Sequence, residues 1–491
     1  MHAMLPSAAI CEQARRARDA RFDGIFFTAV KTTGIYCRPV CPVPPARAAN
    51  VLYFANAASA EAAGFRPCLR CRPELAPADG HWRRGDALLA RALRMIEGGA
   101  LDEAPLASLA ERLHVGERHL RRVFQTALGV SPQQVQATRR LLFAKQLLSE
   151  TALPITEVAQ AAGFGSQRRF NDAWIKAYDL PPSRLRRQSG NAPAARPSSG
   201  SLQLRLNYRP PFDFRATLAF LRIRALPGIE QITQTSYSRV LDLQGAWLQL
   251  EEWGAGEAAL RLHLHGVATP ALPSIVQQLR QMFDLDADPC TINAHLAQDP
   301  ALKPLLQAHP GLRLPGAWNV FETAVRAVLG QQVSVAAAST LTQRLLARLG
   351  QPLVGHAAPG LHQLFPAPAQ LANANLVELG ITTARIRSLH AIGHALSSPG
   401  GHILDGQHCP ALDDFLRAWT ALPGIGPWSA EYIALRGLHH PDAFPAGDLV
   451  LRKQLGMGQP LPENVLRQRA EAWHPWRAYA AIHLWHAAAH T

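Results

Sequence analysis

The sequence predicts a multidomain α+β protein. Its parts are a small domain around a cysteine centre, an all-α domain, a small α+β domain and a final helical domain. Three observations carry this. The chain has 491 residues, more than one hydrophobic core accommodates, so three or four domains is the natural division. Four of its seven cysteines, Cys37, Cys41, Cys68 and Cys71, fall in two close pairs, while Cys11, Cys290 and Cys409 are scattered. The hydrophobic pattern then changes from helical periodicity to strand-like alternation and back.

The bulk numbers narrow the function classes. Fifty Lys and Arg against 36 Asp and Glu give a net charge of +14, which favours a polyanionic partner, nucleic acid first. Genome base usage explains why Arg so outnumbers Lys, but not a positive excess. The amino terminus turns charged too quickly for a signal peptide, and no apolar run is long enough to span a bilayer. A membrane protein and a secreted disulfide scaffold are therefore not expected. The expectation is a cytoplasmic chain without membrane contact, whose clustered cysteines serve metal or redox chemistry.

The first block, 1–78, holds the paired cysteines and ends in "CRPELAPADG", where Pro and Gly break structure. A helical block follows over 85–187. Residues 188–200, in "RRQSGNAPAARPSSG", have almost nothing to bury and read as a flexible linker. In 201–312, "LQLRLNY" and "AWLQLEEW" alternate as half-buried strands do, and "GAG" followed by "ALRLHLHG" completes a hairpin. "FRATLAFLRIRAL" and "LPSIVQQLRQMFDL" carry helical spacing, so this block is a small α+β unit. From 313 to 491 the chain is helical, with short Pro- and Gly-marked turns.

The cysteine spacing is C-x3-C, 26 residues, then C-x2-C. Two pairs separated by a loop suit a tetrahedral ion, and four thiolates without His select zinc. Spacing alone leaves a purely structural site as the default. "FFTAVKTTGIYCRPVCP" and "NVLYFANAASAEAAGFRPCLRCRPE" resemble the amino-terminal module of the Ada family, which responds to DNA methylation damage. The resemblance implies a small zinc-bound Ada-type domain in which Cys37 takes a methyl group irreversibly from a DNA phosphotriester. Cys41, Cys68 and Cys71 then complete the zinc shell. Zinc keeps the thiol deprotonated, and the thiolate is the nucleophile. Methylation removes one negative charge from the centre, so affinity for DNA should rise, an electrostatic switch. Lys31, Arg38, Arg47, Arg66, Arg70 and Arg72 are candidate phosphate contacts, each equally a solvated surface charge.

"LASLAERLHVGERHLRRVFQTALGVSP" reads as helix, turn near Val115-Gly116, and a second basic helix. "ITEVAQAAGFGSQRRFNDAWIKAYDLPPSRLRR" repeats the plan: Gly163 marks the turn, Phe170 and Trp174 anchor the second helix, and Gln167, Arg168, Arg169 and Asn171 lie on its exposed side. An ordinary helical bundle with a basic face is the bland alternative. Two such units in tandem, joined through "QQVQATRRLLFAKQLL", resemble the AraC-type double helix-turn-helix domain. That resemblance implies promoter binding in successive major grooves and a contact with RNA polymerase.

"ALPGIGPWSAEYIALRG" contains L-P-G-I-G between two helices, the hairpin of a helix–hairpin–helix element. Gly424 and Gly426 let backbone N–H groups approach a DNA phosphate closely. Alone this is a passive clamp, and Asp448 in "AGDLVLRKQLG" is an ordinary helix cap. Together with "LNYRPPFDF", "GLRLPGAWNVFETAVRAVLGQQVSVAAA" and "WHPWRAYAAIHLWH", however, the block from 203 onward resembles the AlkA-type helix–hairpin–helix 3-methyladenine DNA glycosylases. The resemblance implies base flipping, N-glycosidic cleavage and Asp448 as the catalytic anion beside an oxocarbenium-like sugar. Trp428, Tyr432 and Trp485 match the family's aromatic pocket, where electron-rich rings stack on a cationic base; otherwise they are plain core aromatics. Lyase-competent relatives carry Lys at the position of Trp428, so a monofunctional glycosylase is expected. The duplex wedge, apolar in the relative, corresponds to Gln332. No cysteine follows Cys409, so no carboxy-terminal iron–sulfur cluster is expected, and no P-C-H-R methyltransferase motif occurs.

The sequence thus predicts a methyl-phosphotriester acceptor and transcriptional activator fused to a 3-methyladenine glycosylase, with zinc as cofactor. Its partners would be alkylated and promoter duplex DNA, and the expected state is a monomer. One alternative is a zinc-containing transcription factor whose glycosylase half only clamps DNA. Another is a repair enzyme whose helix-turn-helix block merely adds affinity.

Overall fold

The computed structural model describes residues 5–78, 87–102, 104–188, 201–242, 245–353, 358–398, 401–406, 411–456 and 458–490. The predicted linker beyond Gln188 and Cys409 lie outside the described residues. The chain divides into two compact units, one of 1–210, 252–277 and 285–288, the other of 211–251, 278–284 and 289–491. Among the described residues no helix is long and apolar enough to cross a membrane.

The first unit opens with helix Ala8–Ala17, capped by Ser7, whose Cys11 and Ala14 pack on Phe26. Four strands follow: β1 (Phe27–Val30), β2 (Ile35–Cys37), β3 (Val51–Phe54) and β4 (Arg66–Pro67), in spatial order β3-β1-β2-β4. β1 and β2 form a tight hairpin with Thr28 opposite Cys37, turned at Gly34, whose φ of +66° favours glycine. β4 runs parallel to β2, and the Cys68 N–H bonds the Tyr36 carbonyl at 2.9 Å. This register carries the second cysteine pair to the first. Phe27, Ala29, Tyr36, Ala57 and Ala60 form the small core beneath.

Helices Leu106–Arg112 and Glu117–Leu128 make the first helix-turn-helix, and Ile155–Ala161 and Gln167–Tyr178 the second. The helix between them, Pro132–Glu150, starts in a capping box of Ser131 and Gln134. Its inner side reaches the cysteine domain. Lys145, fully buried, donates to the Cys68 carbonyl at 2.8 Å and to Glu74 at 2.6 Å. Thr138 donates to Glu61, and Glu150 pairs with Arg72 at 2.7 Å. Strands Ser201–Asn207 and Ala259–His265 pair antiparallel, and the Trp253 N–H closes the preceding turn on Ala259 at 3.0 Å.

In the second unit, strands Glu230–Ile232, Ser236–Val240 and Trp247–Glu252 form a meander. The sequence reading missed the first two. Every residue of Ser236–Val240 is buried, so no alternation is visible. Its Arg239 is compensated by Glu230 at 3.0 Å and by Glu322. Among the described residues the rest is helices and loops, apart from a two-residue strand pair, Gln351–Pro352 with Gln363–Leu364. Helix Val320–Leu329, buried along most of its length, packs against Thr383–Ser397 and Pro427–Arg436. Those helices carry or border the residues of the predicted pocket.

Candidate metal centre and nucleic-acid interface

The ligand atoms of Cys37, Cys41, Cys68 and Cys71 lie within 4.8 Å of one another. Cys68 and Cys71 are buried; Cys37 and Cys41 are partly exposed. The sulfurs compete for protons. Hydrogen bonds from Cys37, Cys41 and Cys71 hold Cys68 far below the usual thiol range, and those of Cys41 and Cys68 push Cys37 up. A cation that binds thiolates relieves this competition, and four sulfur donors fit zinc. The Arg38 backbone N–H points at the Cys71 sulfur, 3.3 Å away, supporting the ligand from outside.

Arg38 is not placed for DNA. It is 7 % exposed; its guanidinium grips the Asp23 carboxylate and the Cys71 carbonyl at 3.1 Å, so it fastens the knuckle instead. The partner is 15 residues upstream, and nothing in the local pattern marks it. Arg72 is likewise engaged, by Glu74 and Glu150. Lys31, Arg47, Arg66 and Arg70 are exposed, Arg66 in a surface pair with Asp179. A cavity of about 680 Å³ opens over Cys37 and Cys41, walled by Val43, Leu69, Arg66 and Arg70. The partly exposed Cys37 thus borders a space with two cations at its rim.

In the second helix-turn-helix, Ser166 caps helix Gln167–Tyr178. Gln167, Arg168 and Arg169 are exposed on its first turn, and Asn171 is half-buried. Phe170 and Trp174 are fully buried, and Trp174 stacks on Tyr178 at 4.1 Å, which fixes the helix orientation.

The hairpin joins helices Leu412–Thr420 and Pro427–Arg436. Gly424 is at φ +75°, and a Cβ there would lie 2.1 Å from the Ser388 hydroxyl oxygen, so only glycine fits. Gly426 is exposed, and a Cβ at that position would meet nothing within 4 Å, so the helix start is open to an approaching group. Gln331 spans the hairpin, donating to the Gly424 carbonyl at 2.9 Å and to Ser429 at 3.1 Å. Next to it Gln332 stands exposed at φ +56°.

Asp448 caps helix Leu449–Leu455, its Oδ1 accepting from Val450 and Leu451 N–H at 3.0 and 3.1 Å. It does more than cap. Trp428 donates its indole N–H to Oδ2 at 3.0 Å and Trp485 to Oδ1 at 3.1 Å. Trp428 lies nearly parallel to Tyr432, with centroids 5.4 Å apart, and Trp485 is tilted against Tyr432 at 6.3 Å. Three aromatics and one carboxylate from three helices thus converge, half-buried beside the hairpin. Sequence reasoning missed Arg224, Arg326 and Arg436 behind Tyr432. Only Arg436, four residues after Tyr432 on one helix, left a signal.

The chain matches four family models in order: the metal binding domain of Ada over 10–74, a helix-turn-helix domain over 109–188, the AlkA N-terminal domain over 203–319, and the HhH-GPD superfamily of base excision DNA repair proteins over 325–476. It is 40% identical to a probable bifunctional transcriptional activator/DNA repair enzyme AlkA of Mycobacterium tuberculosis, across 97% of this chain and 95% of the relative. It is 32% identical to DNA-3-methyladenine glycosylase 2 of Escherichia coli, across 57% of this chain and 96% of that one. A 3-methyladenine DNA-glycosylase structure from Archaeoglobus fulgidus, 19% identical, shares the fold over 57% of this chain and 96% of its own, with a TM-score of 0.50.

Proposed function

The chain belongs to the family of bifunctional transcriptional activator/DNA repair enzymes of the AlkA and Ada type, and from that premise we propose two reactions for it, each assigned to named residues. It binds zinc through its four cysteines and binds DNA through its helix-turn-helix and helix–hairpin–helix domains. The observation that carries the reading is the Asp448 carboxylate, held by two indoles beside a glycine hairpin.

At that site an alkylated purine, cationic and a good leaving group, is flipped out of the duplex. The bond from sugar carbon to base nitrogen breaks. Its electrons neutralise the base, and the sugar becomes oxocarbenium-like. Asp448 stabilises that cation as a fixed anion, and water completes the hydrolysis. Trp428, Tyr432 and Trp485 receive the base. Gln332, exposed on a turn tethered by Gln331, fills the gap in the duplex. Backbone N–H groups around Gly424 and Gly426 hold a phosphate.

At the amino-terminal site, bound zinc keeps the Cys37 sulfur a thiolate at neutral pH. That sulfur attacks the methyl carbon of a DNA phosphotriester. The carbon–oxygen bond breaks, and its electron pair restores the phosphodiester anion. Cys37 ends as a neutral thioether, so the cavity flanked by Arg66 and Arg70 loses one negative charge and gains affinity for DNA. Gln167, Arg168, Arg169 and Asn171 then read a promoter, and the activator engages RNA polymerase. One chain presents two recognition helices, so a cytoplasmic monomer suffices.

The test is duplex DNA treated with a methylating agent. The expected results are free methyladenine and a Cys37 peptide heavier by one methyl group, with footprinting of a cognate promoter stronger after methylation. A DNA clamp with a structural zinc would release no base and leave Cys37 unmodified.

A further inference from the structure

The last helix, Arg477–His490, carries three histidines on one face. His483, His486 and His490 fall at i, i+3 and i+7, the spacing that stacks side chains along one side of a helix. A fourth, His309, ends helix Lys303–Ala308, which packs against the last helix. The His309 and His486 rings meet edge to face with centroids 4.4 Å apart, and those of His486 and His490 lie 4.2 Å apart. His486 is therefore in contact with two other imidazoles. The face is not that of Trp485, whose indole serves Asp448.

His483 supplies an observation of a different kind. It is 2 % exposed, and its Nδ1 is buried without a hydrogen-bond partner among the described residues. A bare nitrogen in the interior carries a desolvation penalty that nothing offsets, so it calls for a use. The surroundings also keep these rings uncharged. Burial pushes His483 down to about 4, with His486 and His309 adding to the effect, and His486 is lowered by burial and by His309 and His490. Neutral imidazole is the form that offers a lone pair to a metal. The carboxylate of Asp213, which caps helix Phe214–Arg222, is the negative charge acting on His486.

We propose that His309, His483, His486 and His490 hold one divalent first-row transition ion through imidazole nitrogens, a metal site separate from the cysteine centre. Imidazole suits zinc, cobalt, nickel and copper alike. The four cysteine sulfurs are a closed ligand set, within 4.8 Å of one another. The histidines are an open one. His490 is exposed and keeps its Nδ1 2.7 Å from the His486 carbonyl, so its ring has to swing to reach an ion. His309 is exposed and can adjust in the same way. That rearrangement makes the site weaker than the cysteine centre. An ion held there ties the end of the last helix to the segment that stops at His309.

The experiment uses the full chain without an affinity tag, its cysteine centre already loaded with zinc, and cobalt(II) as the probe. Thiolates select zinc, so added cobalt reports on nitrogen ligands. The expected result is one further equivalent bound, with visible d–d bands and no thiolate charge-transfer band. The thermal midpoint should rise with cobalt concentration. His309→Ala combined with His490→Ala alters two exposed side chains and leaves the core alone. In that double variant cobalt affinity should fall at least ~10-fold, and the rise in midpoint should shrink with it. His486→Phe should abolish the d–d bands. No further equivalent in wild type overturns the proposal. So does one that the double variant binds equally well, or one that brings a thiolate band.

Discussion

Replacing Asp448 by Asn removes the negative charge while keeping the size and capping ability of the side chain. Asn is as good an N-cap as Asp, so the bonds from Val450 and Leu451 persist. The indoles are less well served. Trp428 and Trp485 both donate, and an amide offers one oxygen, so one indole N–H meets an NH2 group, at a cost of about 1 kcal/mol in stability. On the proposed role of Asp448 the catalytic loss should be larger. A carboxylate about 4 Å from the sugar cation at an effective dielectric near 20 contributes about 4 kcal/mol, close to a thousandfold in rate. Single-turnover release of 3-methyladenine from methylated duplex, with DNA affinity measured alongside, is the assay. A variant within tenfold of wild type at equal affinity would refute the assignment of Asp448 as the stabilising anion.

Cys37→Ser should abolish methyl uptake, measured by peptide mass, while leaving excision of methyladenine intact. Stripping zinc with a strong chelator should unfold the domain of residues 5–78, seen as lost protection from proteolysis, because the folded arrangement depends on ion and thiolates together. Lys145→Met should destabilise the first unit by ~3 kcal/mol, because it leaves Glu74 buried with only Arg72, and the thermal midpoint should fall accordingly. Glu431 is raised to about 7, chiefly by burial, and among the described residues accepts one backbone bond, from Phe444. A raised acid binds a proton more readily when folded, so its stabilising contribution is complete below the unfolded value near 4.5 and is lost as pH climbs through about 7. Glu431→Gln should therefore flatten the fall in thermal midpoint between pH 5 and pH 8.

Much of the site was legible because its chemistry is local. Two cysteine pairs, a glycine hairpin and an aspartate before a helix are each contained in a few residues, and the structure brings Trp428, Tyr432 and Trp485 to Asp448. What was not legible depends on partners far away in the chain. Arg38 looks like any basic neighbour of a cysteine until Asp23 is placed under it. Strand Ser236–Val240 hides because Arg239 is buried as fully as Val240, neutralised by Glu230 and by Glu322 eighty-three residues on. Arg436 stands one helical turn from Tyr432, but Arg224 and Arg326 share no pattern with it, and only folding brings their charges to act on the same phenol.

The bonds to Asp448 have a consequence for direction. A carboxylate has about four acceptor positions, two on each oxygen. Here Oδ1 takes three donors, from Val450, Leu451 and Trp485, and is saturated. Among the described residues Oδ2 takes the Trp428 indole alone, which leaves one of its positions without a donor. The group is a one-sided anion: in the proposed reaction an approaching sugar or water would meet the same oxygen from the same bearing. Turning it to present the other face would break four bonds at once, so its aim is set when the chain folds and would need no adjustment during the proposed glycosidic cleavage.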